Sequence, residues 1–430
     1  MRQSTKKYWE GTILSKVAMV AVLLLFATSL SAQAAAPAGG TITATARDVA
    51  KNMYPGWNLG NTLEGGVAAN NDTNKAGLGA ETVWQPTKTT KEFIDFVKAS
   101  GFRSVRIPTA WIMGHISDPA TSRIDADWLK RVKEIVDYCI DDGLYVVLND
   151  HWDGGWIEVL GFSKNASSYE KVDDATIEAK ATKLKTLWTQ IANAFRDYDE
   201  HLVFAGMNEP FQEYNLFSKR HEELTPILEK YNQAFVDAVR ATGGKNATRV
   251  LLVQGPSVNI ASTCKYFHMP EDKVSGKLMV EVHNYSPYDL CLAANFYYWG
   301  EGNYVDGNAH NATYYKEAEM ASEYSLLRST FVDKGYPVIV GECAALWRDL
   351  TGQAGESQDK HDASIKAWYY QLNKVATDNG VVNMAWDTNS TNRAGTTGTS
   401  TIFDRSAVKV FNSFALDGIM EGCKAGKWPY

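Results

Sequence analysis

The chain has 430 residues, 43 basic and 50 acidic side chains for a formal net charge of −7, and 45% apolar residues. The acidic balance argues against nucleic acid or an anionic membrane as partner and favours a neutral one. Five cysteines are too few for a disulfide framework; one or two bridges are possible, and the odd count leaves at least one thiol over.

Lys6, Lys7 and Lys16 lead into the apolar stretch Val17–Leu30, followed by the small-residue pattern Ala32-Gln33-Ala34. This is the layout of a secretory signal peptide over residues 1–34, and the apolar stretch is short for a retained membrane span. The expected location is therefore secreted or periplasmic, without stable membrane association after cleavage. Residues 35–45 read as a flexible lead-in. From 46 to 430 no linker and no internal repeat interrupts the chain, which predicts one large domain; a monomer is expected.

Eight short apolar runs follow in order: GWNLGN from Gly56, SVRIP from Ser104, LYVVLND from Leu144, LVFAGMNE from Leu202, RVLLVQG from Arg249, KLMVEVHNY from Lys277, PVIVGE from Pro337 and VVNMAW from Val381. Helical periodicity lies between most of them. Phe93, Ile94 and Val97 share one face before Gly101; Leu129, Val132, Ile135, Val136 and Ile140 share another before Gly143. Comparable stretches cover Ile177–Asp197, Ile227–Gly243, Ala318–Asp333, Ser364–Asn379 and Val408–Ala425, while Pro256–Ser275 is less clearly helical. Eight strand–helix units predict an α/β fold of the (β/α)8 barrel type in a single domain. An open doubly wound sheet would carry a G-x-G-x-x-G turn after the first strand, and NLGNTLEGG lacks that spacing.

In such a barrel the site lies at the carboxyl ends of the strands. The runs end on Asn58 and Asn61, Arg106, Asn149-Asp150-His151, Asn208-Glu209, Gln254, His283 and Tyr285, Glu342, and Trp386. Unpaired buried charges are costly, so these polar groups must meet in a shared pocket. Glu209 and Glu342 end different strands. One protonated and one ionised carboxyl flanking a bond is the equipment of glycoside hydrolysis. Glu281 shares strand parity with His283 but sits deeper in its run, and reads as a structural carboxylate. Trp386 reads as a sugar-stacking platform.

The ordered blocks GWNLGNTLE, SVRIP, LNDHWD, MNEP, VHNYSPYD, VIVGEC and MAWD resemble glycoside hydrolase family 5, most closely its endo-β-1,4-glucanase (cellulase) branches. The resemblance covers essentially the whole mature chain. It implies a retaining (β/α)8 enzyme working through a covalent glycosyl-enzyme intermediate, with no metal and no other cofactor. By position it implies Glu209 as acid/base, Glu342 as nucleophile and Arg106 as the nucleophile's support. His151 would be the third-strand histidine and Asn208 the partner of the sugar 2-hydroxyl. His283 and Tyr285 would be the sixth-strand pair, and Trp386 the platform at the cleavage point. His151-Trp152 stands where many relatives have two histidines, Cys343 stands where an aromatic is common, and ETVWQP from Glu81 only approximates the relatives' Trp-Gly-Asn-Pro; these departures touch substrate choice rather than mechanism.

The implied partner is a polysaccharide or oligosaccharide: β-1,4-glucan first, mixed-linkage glucan and xyloglucan next, then mannan and xylan. Trp84, Trp111, Trp152, Trp156, Trp299 and Trp347 are candidates to stack on further sugars. A metal-dependent hydrolase would need clustered ligands such as H-E-x-x-H, which the sequence lacks. G-x-S-x-G and G-x-x-x-x-G-K-[ST] are also absent. A non-catalytic carbohydrate-binding barrel is the alternative of a different class, and the presence of both glutamates argues against it.

Overall fold

A computed structural model describes residues 40–65, 77–159, 171–211, 221–293, 295–391 and 397–430. The expected signal peptide lies outside them.

Each apolar run forms a strand: β1 Gly56–Asn58, β2 Ser104–Ile107, β3 Tyr145–Asn149, β4 Leu202–Ala205, β5 Leu251–Asn259, β6 Leu278–Asn284, β7 Val338–Cys343 and β8 Val381–Ala385. All neighbours are parallel, and β1 pairs with both β2 and β8, closing the barrel. The α/β barrel predicted from the spacing is therefore the observed fold. The strands are buried along nearly their whole length because side chains alternate between two apolar layers. One layer fills the barrel: Val147, Val203, Ala205, Leu252, Met279, Ile339, Val382 and Met384 pack together. The other meets the surrounding helices through residues such as Val105, Val146, Leu148, Phe204 and Val340.

The α-helices longer than one turn are α1 Ala46–Met53, α2 Lys91–Ala99, α3 Ala126–Asp141, α4 Asp174–Ala194, α5 His221–Ala241, α6 Ile260–Tyr266, α7 Glu317–Thr330, α8 Gln358–Asn379 and α9 Ser413–Ala425. Most of their starts follow side-chain caps. Thr90 accepts from the Phe93 N–H, and Asp125 from those of Asp127 and Trp128. The indistinct region after β5 holds only the short α6.

Two local expectations need correction. Residues 41–45, read as part of a flexible lead-in, are anchored: Ile42 is buried and donates its N–H to Thr248, and Lys277 donates to the Ile42 carbonyl. They lead into α1, whose Ala46, Val49, Ala50 and Met53 pack on the barrel layer that begins with Val147 and Val203. The last helix starts at Ser413 rather than Val408, because Lys409–Val410 pairs with Phe403–Asp404 as a short ribbon. All five cysteines are free thiols.

At the carboxyl ends three strand pairs slip register: β5/β6 after Gln254, β6/β7 between Val282 and His283, and β7/β8 after Asn383. A slip re-aims the side chains beyond it. After the β6/β7 slip His283 stands opposite Glu342.

Candidate active site

The polar strand ends converge as expected. Arg106, on β2 and fully buried, is the hub. Its Nη1 donates to Glu342 Oε1 (2.9 Å) and to Asn58 Oδ1 (3.1 Å), and its Nη2 donates to Asn208 Oδ1. Burial works against its charge, and the Glu281 and Glu342 carboxylates more than offset that. Asn58 in turn donates to the carbonyls of Gly341 (2.9 Å) and Met384 (3.0 Å), tying β1 to β7 and β8.

Glu342 is held from its other side. The Tyr285 hydroxyl donates to its Oε2 at 2.8 Å. Burial, followed by the charge of Glu342, keeps that phenol protonated far above its ordinary range. His283 bridges the two glutamates, its Nδ1 lying 2.8 Å from Glu209 Oε1 and 3.7 Å from Glu342 Oε2. Glu209 takes φ 42°, a backbone region that non-glycine residues rarely occupy and that costs about 1–3 kcal/mol. It turns the carboxyl toward His283 just past β4, with Asn208 buried beneath.

One oxygen of Glu209 and one of Glu342 lie within 4.8 Å of each other, with a ring nitrogen of His283 equally near. So close a pair leaves room for an anomeric carbon between the carboxyls but little for an intervening water, the spacing of retaining chemistry. Among the described residues these three side chains are also near enough to share a metal ion. Although burial opposes charge on His283, the carboxylates around it raise its pKa to about 9, and the protonated ring has no lone pair to offer a metal.

His151 and Trp386 form the wall of the site, their rings near-parallel with centroids 5.8 Å apart. Burial, then the charges of Arg106 and His283, push the His151 pKa well down, so the ring is neutral. A Cβ on Gly60 would lie 2.9 Å from the Trp386 ring, so glycine there admits the indole. Behind the indole, Asp387 accepts from the Trp57 indole (3.1 Å) and from the N–H groups of Ile402, Phe403 and Asn389. Arg405 closes this network by donating to Thr62 and to the Asp387 carbonyl.

All eight site residues named from sequence (Arg106, His151, Asn208, Glu209, His283, Tyr285, Glu342 and Trp386) thus come together. The loop tryptophans divide. Trp84 is 48% exposed, and Trp152, Trp156 and Trp347 are half-buried. Trp111 and Trp299 are buried, with their indole N–H groups given to the carbonyls of Asn149 and Tyr315, so they serve the core rather than a sugar. Glu281, read as a structural carboxylate, lies against Arg106 and His283; its strand parity was the signal for that position.

Comparisons with known proteins agree with the barrel fold. The family model for cellulase (glycosyl hydrolase family 5) matches residues 68–392. The chain is 34% identical to an endoglucanase A of Clostridium longisporum over 88% of its length and 66% of the relative's. It is 33% identical to a xyloglucan-specific endo-β-1,4-glucanase of Bacteroides ovatus over 88% of the chain and 70% of the relative. The crystal structure of a xyloglucan-specific β-1,4-glucanase from a ruminal metagenomic library superposes with a TM-score of 0.82 at 56% identity, covering 90% of this chain and 98% of that one.

Proposed function

The chain belongs to glycoside hydrolase family 5 as an endoglucanase-type, retaining hydrolase, and from that premise we propose that it cleaves internal β-1,4 bonds of xyloglucan, with Glu209 as acid/base and Glu342 as nucleophile. The observation that carries the assignment of roles is the asymmetry of the pair. Glu342 accepts from Arg106 and Tyr285, two donors suited to an ionised attacking oxygen. Glu209 is the more open of the two, with 26% of its side chain exposed, and faces the imidazole. The substrate choice is supported by two similar proteins, the 56% identical xyloglucan-specific β-1,4-glucanase and the xyloglucan-specific relative from Bacteroides ovatus.

In the first step a Glu342 oxygen bonds to the anomeric carbon, the glycosidic C–O bond breaks, and the proton of Glu209 passes to the leaving oxygen. In the second, water bonds to the same carbon, its proton goes to Glu209, and the Glu342 ester opens. In this reading Asn208, fixed by Arg106, meets the sugar 2-hydroxyl, and Trp386 lies beneath the ring. Export through the leader at residues 1–34 suits a polymeric substrate. Among the described residues no helix is long and apolar enough to cross a membrane.

The test is reducing-sugar release from soluble xyloglucan, mixed-linkage glucan, mannan and xylan, with Glu209→Gln alongside. The expected result is release from xyloglucan above the others, falling by about 10²- to 10⁴-fold in the variant. Release only from mannan or xylan would overturn the substrate. Oligosaccharide binding without release would overturn the enzymatic reading in favour of a binding barrel.

A further inference from the structure

The site contains a third carboxylate for which the two-glutamate mechanism has no use. Glu281 is fully buried at the top of the barrel interior, on β6, two residues before His283. Its Oε1 lies 3.0 Å from Arg106 Nε and 3.4 Å from His283 Nε2, and its Oε2 accepts from the Gln254 amide. A Cβ on residue 341 would fall 2.0 Å from Oε1, so Gly341, beside Glu342, leaves the space this carboxylate occupies.

We propose that Glu281 is a positioning residue for the reaction: it braces Arg106 and His283 from below and supplies the fixed negative charge that balances them.

The argument is one of geometry and charge. Arg106 touches Glu342 from one side and Glu281 from another. His283 touches Glu209 and Glu342 through Nδ1 and Glu281 through Nε2. Two further titratable neighbours, His151 and Tyr285, are neutral. With Glu209 protonated, two cations face two carboxylates, Glu281 and Glu342, and the buried cluster is neutral. When Glu342 becomes an ester it loses its charge, and ionisation of Glu209 restores the balance at the moment a base is needed. Without Glu281 the resting cluster would carry an excess positive charge in a dry site, where it is least tolerated. Burial opposes charge on His283, but Glu342, Glu209 and Glu281 together raise its pKa to about 9.

The proposal rests on Glu209 as acid/base and Glu342 as nucleophile. It is tested by the pH profile of kcat/KM on soluble xyloglucan for the wild type, Glu281→Gln and Glu281→Asp. Removing one fixed negative charge makes every proton in the cluster easier to lose. Both limbs of the Glu281→Gln profile should therefore move to lower pH by about one unit. At the wild-type alkaline midpoint the rate then falls roughly fivefold, from half of its plateau to about a tenth of it. Glu281→Asp keeps the charge and should keep the profile in place, whatever its rate.

A Glu281→Gln profile that is lower but unmoved would overturn the proposal, since a purely structural loss scales the rate at every pH. If that variant does not fold, ¹⁵N NMR of the wild-type imidazoles decides: a His283 imidazolium persisting to about pH 9 supports the proposal, and titration near the ordinary 6.5 overturns it. Glu209→Gln separates the layers. If it retains activity, the acid/base assignment fails; if it is inactive while the Glu281→Gln profile stays in place, only the role of Glu281 fails.

Discussion

Arg106 shows how much one side chain settles in this site. Its planar fork reaches Glu342, Asn58 and Asn208, and its Nε faces Glu281. A lysine would keep the charge and lose the fork. With Glu342 as the proposed nucleophile and xyloglucan as the proposed substrate, Arg106→Lys should therefore lower kcat by about 10²-fold or more with little change in KM; an unchanged kcat in steady-state assays would refute this. His283 makes a pH prediction. Its pKa is raised from an ordinary 6.5 to about 9 in the fold. The stabilisation from its proton is thus fully present below pH 6.5 and is lost as pH rises through 9, on the order of 3 kcal/mol in all. Thermal melts between pH 6 and 10 should show that decline, and His283→Gln should flatten it.

At the scale of elements, strand ends place the site and loop braces hold it there. Asp153 is buried after β3 and accepts from the N–H groups of Trp111 (2.8 Å), Ile112 (2.6 Å) and Met113 (2.7 Å), locking the loop after β2 to the loop after β3. Asp150 lies beside it and accepts from the Trp156 indole. Burial, then the neighbouring Asp153 charge, push the Asp150 pKa well up, so that one carboxyl donates to the other. Asp153→Ala strands three buried donors and should cost about 3 kcal/mol or more in chemical denaturation.

The eight strands were legible in the sequence because a run buried on both faces is apolar at every step, and a polar residue closing it stands out. Helix α1 was not, because its eight residues are too short for a periodic signal and its burial depends on the barrel it caps. The short ribbons, Ile116–Asp118 with Arg123–Ile124 and Phe403–Asp404 with Lys409–Val410, were missed for a similar reason. Two or three residues carry no alternation that can be read.

Across the whole molecule the two ends of the barrel divide the work. Chemistry collects at the carboxyl ends of the strands. Helix α1 packs its buried face on the apolar layer inside the barrel, where Met53 and Val49 meet Val203, Leu252 and Met279. Side chains in that layer set stability, not rate. Met53→Ala should cost about 2–5 kcal/mol of stability while the folded enzyme keeps its kcat. A comparable fall in kcat well below the melting point would show that the two ends are coupled.

By itself the sequence determined the barrel, the strand order in the chain and the side chains delivered to its mouth, because strand period and strand termini are local properties of a few consecutive residues. Only the tertiary structure decided which of those side chains touch. The register slips put His283 opposite Glu342, the backbone turn at Glu209 aims its carboxyl at His283, and Glu281 meets Arg106 from a distant strand. Trp111 and Trp299 went to the core, while Trp84 stayed exposed. Charge balance and burial depend on distances between residues far apart in the chain, and closure of the barrel sets those distances.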